Sequence, residues 1–190
     1  MVLFFRSVTA LFIFFALLQN GFAAGSDSGK DNPPRILFSP ADECGNYILR
    51  SIEGAKESIE LAIYHITSRP LAKALIAAAK RGLSVRVYVD GENADERYSK
   101  VSYMKRHGLK IKAESGEGLM HNKFCIIDNA KVITGSYNWT TSADLRNDEN
   151  IVIIDSLPAV RLYRVQFEKY WLGTYEDEAF YSDKKRLKKH

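Results

Sequence analysis

His121–Asn138, HNKFCIIDNAKVITGSYN, decides how this chain is read. Two apolar runs, Phe124–Ile127 and Val132–Thr134, flank a polar turn at Asp128–Lys131, with ionisable and amide residues at both outer ends. Half-apolar runs around a short polar break predict a β-hairpin, with Asn129–Ala130 as a two-residue loop. If Asp128 pairs with Lys131, then Lys123 lies opposite Ser136 and His121 opposite Asn138. Side chains alternate along a strand, so residues 121 and 123 share a face, as do 136 and 138. Opposed Cβ atoms lie roughly 5 Å apart. The expected hairpin therefore gathers an imidazole, an ammonium, a hydroxyl and an amide. A slip of one residue would divide them between the two faces.

Lys, Ser and Asn offer donors without fixed negative charge, which suits a phosphate. A histidine beside a bound phosphate can act as nucleophile or general acid. No carboxylate cluster or second histidine accompanies the patch locally, so neither a metal site nor another cofactor is expected. By alternation Asp128 faces away from the patch, as an organiser of the turn. A nucleophilic histidine also needs a partner for its other ring nitrogen. The nearby acids are Asp144, Asp148 and Glu149 in TTSADLRNDENIV.

The spacing His121-x-Lys123, Asp128, Gly135-Ser136-x-Asn138 resembles the HKD motif of the phospholipase D superfamily at every position. The resemblance runs from about Ile36 to Trp171 and is specific from Leu119 to Ile154. It implies a phosphodiesterase that forms a phosphohistidine without metal, on a mixed β-sheet flanked by helices on both faces, an α/β/α sandwich. It places His121, Lys123, Asp128 and Glu149 among the catalytic residues, with Glu149 as the partner of His121. Lys123, Ser136 and Asn138 are left to hold the phosphate. Most members carry two motif copies. This chain carries one and shows no internal repeat, so it looks like the small exported bacterial Nuc-type endonucleases, in which two subunits share one site. The mitochondrial single-motif relatives, known as cardiolipin hydrolases or RNA nucleases, are the competing likeness.

The expected partners are thus a nucleic-acid substrate and a second copy of the chain. A phospholipase D-type lipid phosphodiesterase is the alternative, and a non-catalytic nucleic-acid-binding protein is a third reading that the complete motif opposes.

The rest of the chain is consistent with a mixed sheet. Residues 1–23 read as a signal peptide: Arg6 is their only charge, Val8–Leu18 is apolar, and Gly21-Phe22-Ala23 offers a small-x-small cleavage site. Export to the periplasm or medium is expected. The alternative is an uncleaved N-terminal anchor touching the membrane. Residues 24–34 read as a linker, 35–174 as the catalytic domain and 175–190 as a basic tail. The chain has 27 Lys and Arg against 23 Asp and Glu. With the first 23 residues removed the basic count is 26, and Lys184, Lys185, Arg186, Lys188 and Lys189 supply five of these. The folded body is nearly neutral, and its basicity is assigned to the tail. Cys44 and Cys125, the two cysteines, are expected as buried thiols.

The pattern predicts strands over Arg35–Ser39, Ser58–Ile66, Leu83–Asp90, Leu109–Ala113 and Asn150–Ile154. It predicts helices over Ala41–Lys56, Pro70–Arg81 (capped by Ser68), Asn93–His107 and Pro158–Trp171. Gly116-Glu117-Gly118 is a loop leading into His121. His65 ends a strand and reads as a structural hydrogen-bonder. Trp139 is expected to pack under the site.

Overall fold

The computed structural model describes residues 33–116 and 118–173. The expected signal segment, nearly all of the linker, and the basic tail lie outside the described residues.

β1 (Arg35–Ser39), β2 (Ser58–Ile63), β3 (Ser84–Val89), β4 (Lys110–Ala113), β5 (Lys123–Ile127), β6 (Lys131–Gly135) and β7 (Glu149–Ile154) form one sheet in the order β1-β7-β6-β5-β2-β3-β4. β2, β3 and β4 run parallel, and the pairs from β2–β5 through to β7–β1 are antiparallel. Parallel neighbours need crossovers. The first is α2 (Arg69–Lys80), the second α3 (Gly91–Ala94) with α4 (Val101–Arg106).

Alternation sends the two faces of the sheet into separate cores. Leu61, Ile63, Cys125, Ile133 and Ile151 pack beneath α2 and α1 (Cys44–Gly54). Ala62, Phe124, Ile126 and Val132 pack against Val160 and Phe167 of α6 (Leu157–Leu172), which follows the short α5 (Thr141–Leu145) and β7. Helices thus cover both faces, as an α/β/α sandwich requires. α6 is also held by charge: Arg86 bridges Glu60 and Glu168 while lying over the Phe167 and Trp171 rings, 5.0 and 5.4 Å from their centroids. Cys44 and Cys125 are buried free thiols, as expected. Burial pushes both pKa values up, aided by Asp42 and Asp144 at Cys44 and by Glu60 at Cys125.

The predicted helix Asn93–His107 is instead two short helices. Asp90 caps α3 by accepting from Asn93 N at 3.1 Å. The polar stretch between them turns so that Lys100 N donates to Ile66 O at 2.9 Å. A run without a continuous apolar stripe has little to bury as one helix, and this backbone bond holds it at the end of β2 instead. α2 has the expected cap, Ser68 Oγ accepting from Leu71 N at 3.5 Å. No described helix is long and apolar enough to cross a membrane.

Candidate active site

The hairpin forms, but one residue out of the expected register. Ile127 pairs with Lys131 and Phe124 with Thr134, so the loop is the three residues Asp128, Asn129 and Ala130. Asp128 and Asn129 both adopt left-handed backbone, φ 52° and 53°, which Asp and Asn tolerate better than most residues. The Asp128 carboxylate fixes the loop by accepting from Lys56 N (2.9 Å), Glu57 N (2.8 Å) and Ser58 N (3.0 Å). Burial raises its pKa. The three N–H groups and the Lys56 charge outweigh this and hold the carboxyl below the usual range. Asp128 therefore bolts the hairpin turn to the α1–β2 junction, at the end of β5 remote from His121.

In this register Lys123 lies level with Gly135, and the pairs Lys123–Ser136 and His121–Asn138 do not form. Ladder pairing of β6 ends at Gly135, whose φ is 145°. A Cβ there would meet Asn150 O at 2.2 Å, so only glycine fits the approach of β7. Beyond it Ser136 turns to β7: its hydroxyl accepts from Asn150 N at 3.1 Å and donates to Glu149 Oε2 at 2.5 Å. Glu149 Oε1 accepts from Asn147 Nδ2 at 3.1 Å. The break at Gly135, rather than strand alternation, gives Ser136 its place beside Glu149.

Lys123 is half-buried, and its Nζ donates to His121 O at 2.6 Å. Burial lowers its pKa and the Glu149 charge opposes this in part. The His121 ring is exposed and packs on Tyr64, ring centroids 4.4 Å apart, while Lys123 Nζ lies 4.9 Å from the same ring's centroid. Tyr64 follows β2 directly and is a site residue that the sequence reading missed. Its place depends on the pairing of β2 with β5, sixty residues away in the chain. Tyr64 N donates to Asn122 O, which fixes the chain between His121 and Lys123.

The sequence points to Glu149 as the partner of His121. No hydrogen bond joins them among the described residues, and both carboxylate oxygens are engaged elsewhere. β6 separates β5 from β7, and two strand spacings come to about 9.6 Å. Asn138 is half-buried and makes no side-chain hydrogen bond among the described residues, with its Oδ1 enclosed. Trp139 is buried as expected. Its N donates to His65 O, and its carbonyl accepts from Thr67 N and Ser68 N, stitching the hairpin's far end to the end of β2. Tyr137 donates to Asp144 Oδ1 at 2.9 Å. Burial and that carboxylate raise the phenol's pKa, so it remains a donor. Asp90, 1% exposed, accepts from Met120 N and anchors the entry to His121. His65 Nε2 stands 3.0 Å from Glu96 Oε2, facing an acid rather than the patch.

Among the described residues no three His, Cys, Asp or Glu side chains are gathered as a metal-ligand set. What the site presents is an exposed imidazole, an ammonium two residues on, a shared aromatic floor, and a hydroxyl–carboxylate pair within electrostatic reach of the ammonium.

Residues 48–171 match the family described as cardiolipin synthase, PLD-like domain. Phospholipase D of Rickettsia prowazekii is 37% identical over 126 residues, covering 66% of this chain and 62% of that protein. Mitochondrial cardiolipin hydrolase of Mus musculus is 35% identical over 157 residues, covering 82% of this chain and 69% of that protein. The chain thus spans a little under two thirds of its rickettsial relative. Among solved structures, the phospholipase D family member Nuc from Salmonella typhimurium superposes with a TM-score of 0.69 at 30% identity, covering 73% of this chain and 93% of that one. The architecture of the sheet, the matched family and these relatives agree: the chain belongs to the phospholipase D superfamily and carries a single PLD-like domain, structurally close to Nuc.

Proposed function

We propose that the chain is a metal-independent phosphodiesterase acting through a phosphohistidine, an exported endonuclease that cleaves DNA, RNA or both as a homodimer with one shared site. The observation carrying this reading is the placement of His121 and Lys123 together on Tyr64, open to solvent on one side. A neutral His121 nitrogen attacks phosphorus, and the bond to the leaving oxygen breaks. That oxygen needs a proton, which the same imidazole cannot supply while acting as nucleophile. A second copy across a two-fold axis supplies it, with one proton held between the two imidazoles. Water then attacks the phosphohistidine and gives its proton to the second imidazole. Lys123 and Asn138 of both chains hold the non-bridging oxygens. The exposed His121 and the in-chain commitments of Glu149 favour a site completed by another copy, whose Glu149 can approach the His121 ring.

A lipid phosphodiesterase is the second reading, favoured by the names of the rickettsial and mouse relatives. The deciding assay offers plasmid DNA, RNA and labelled phospholipid in parallel with chelator present. Cleavage of nucleic acid is expected. Cleavage of phospholipid alone overturns the endonuclease, and activity that requires an added divalent ion overturns the metal-free mechanism. Mixing His121→Ala chains in excess with wild type should remove activity in proportion to heterodimer formation. Simple dilution would show that one chain is the working unit.

A further inference from the structure

Beside the site, α4 and the N-terminus of α2 border a groove of about 480 Å³. Four cations line it: Arg69, Arg97, Lys100 and Arg106. Two carboxylates, Asp95 and Glu96, share it, and Glu96 stands at His65. The other lining residues are serines and Tyr103, with no aliphatic side chain among them. None of the four cations makes an ion pair among the described residues. Three are exposed, and Lys100 Nζ is spent on Tyr98 O at 2.9 Å. One aromatic residue, Tyr103, lines the groove, and Tyr98 stands outside the lining, next to Arg97. Arg97 lies 5.5 Å from the centroid of Tyr98, which is 66% exposed, and Tyr103 packs on His107 at 4.4 Å.

The groove is tied to the reacting group through backbone. Ser68, next to Arg69, donates its N–H to the carbonyl of Trp139, which follows Asn138. Lys100 N donates to Ile66 O, and Ile66 bridges Trp139. The Tyr64 ring centroid lies 4.4 Å from that of His121 and 6.4 Å from that of His65.

We propose that this groove carries the strand of a nucleic-acid substrate flanking the scissile phosphate, with Arg69, Arg97 and Arg106 on the backbone phosphates. The proposal rests on the endonuclease reading above and places polyanion binding in the folded body, not in the tail. A concave, aliphatic-free groove with exposed, unpaired guanidinium groups fits the phosphates of a single strand. A flat bilayer would contact only its rim, and an acyl chain would find no apolar lining.

The test uses the full chain carrying Arg69→Gln, Arg97→Gln and Arg106→Gln together. It is assayed on a dinucleotide, a long single-stranded oligonucleotide, and vesicles of equimolar phosphatidylglycerol and phosphatidylcholine. Wild type should show a lower KM on the long strand than on the dinucleotide. The triple variant should lose that preference, and its salt slope for binding should become shallower by about 2, since each phosphate contact on a single strand contributes about 0.7. A wild-type KM and slope in the variant overturn the groove while leaving the endonuclease standing. Loss of vesicle binding in place of oligonucleotide affinity also overturns it. Wild type that acts on no nucleic acid removes both proposals. If thermal melting shows the triple variant unfolded, Arg69→Gln and Arg106→Gln are measured singly, each expected to lower the slope by about 0.7.

Discussion

Asp128→Ala should damage stability far more than chemistry, although Asp128 belongs to the motif. The carboxylate accepts three backbone N–H groups. Those of Lys56 and Glu57 are exposed, so water replaces the lost acceptor there. The bond from Ser58 is partly buried, and losing a bond to a charged group costs about 1.5–3 kcal/mol. Alanine at φ 52° adds about 1–2 kcal/mol. The expected loss is about 3 kcal/mol, a fall in Tm of about 6–12 °C for a domain of this size. Asp128→Asn keeps a residue that tolerates the left-handed turn and one carbonyl acceptor, and should cost about 1 kcal/mol. The folded pKa lies below the unfolded value, so this stabilisation is complete above about pH 4 and is lost as pH falls through the folded value. The gap between wild type and Asp128→Asn should therefore close in acid. Urea melts across pH, with turnover normalised to folded protein, decide the matter. A variant with wild-type stability and collapsed turnover would refute the structural role.

Three further outcomes follow from the site. Tyr64→Leu removes the floor shared by His121 and Lys123, a loss of about 1 kcal/mol at this half-buried cation–π contact. It should lower kcat severalfold, while Tyr64→Phe should restore it; equal kcat in Leu and Phe variants would remove Tyr64 from the site. Lys123 loses its proton below the ordinary lysine range because it is buried, so activity that needs the ammonium should fall as pH rises through that lowered value. Lys123→Arg should carry the alkaline limb of the pH–rate profile upward even if kcat drops, and an unmoved limb would assign it to another group. Glu149→Gln keeps its bond to Ser136 but drops the charge that supports the Lys123 ammonium, so the alkaline limb should move down in pH as kcat falls; a wild-type profile would place Glu149 outside the chemistry.

The sandwich was legible because alternation in β2, β3 and β5 survives as two faces with two separate cores. His121 and Lys123 were legible because they share one strand end. The register was not, because it turned on whether Asp128 enters the ladder or the loop. A bond network reaching back to Lys56–Ser58 decided that, and no local pattern carries it. Tyr64 escaped notice for the same reason: an aromatic after a strand means little until its neighbour strand is known. The helix expected over Asn93–His107 failed where Lys100 found a backbone partner in Ile66. The cations of the groove were hidden because they come from α2 and from the segment around α4, separated in sequence and joined only in space.

β5, β6 and β7 are consecutive in the chain and pair with one another in order, all antiparallel. Closing them costs the entropy of one three-residue loop and one thirteen-residue connection, whereas β2–β3 and β3–β4 must each wait for a longer crossover. Low sequence separation favours early closure. The meander bearing His121, Lys123, Ser136 and Glu149 can thus be the first part of the sheet to form, with β2 arriving later to supply Tyr64. In kinetic terms the motif is a nucleus on which the scaffold condenses, so substitutions at Val132 or Ile133 should slow folding, and those in β3 or β4 should chiefly hasten unfolding.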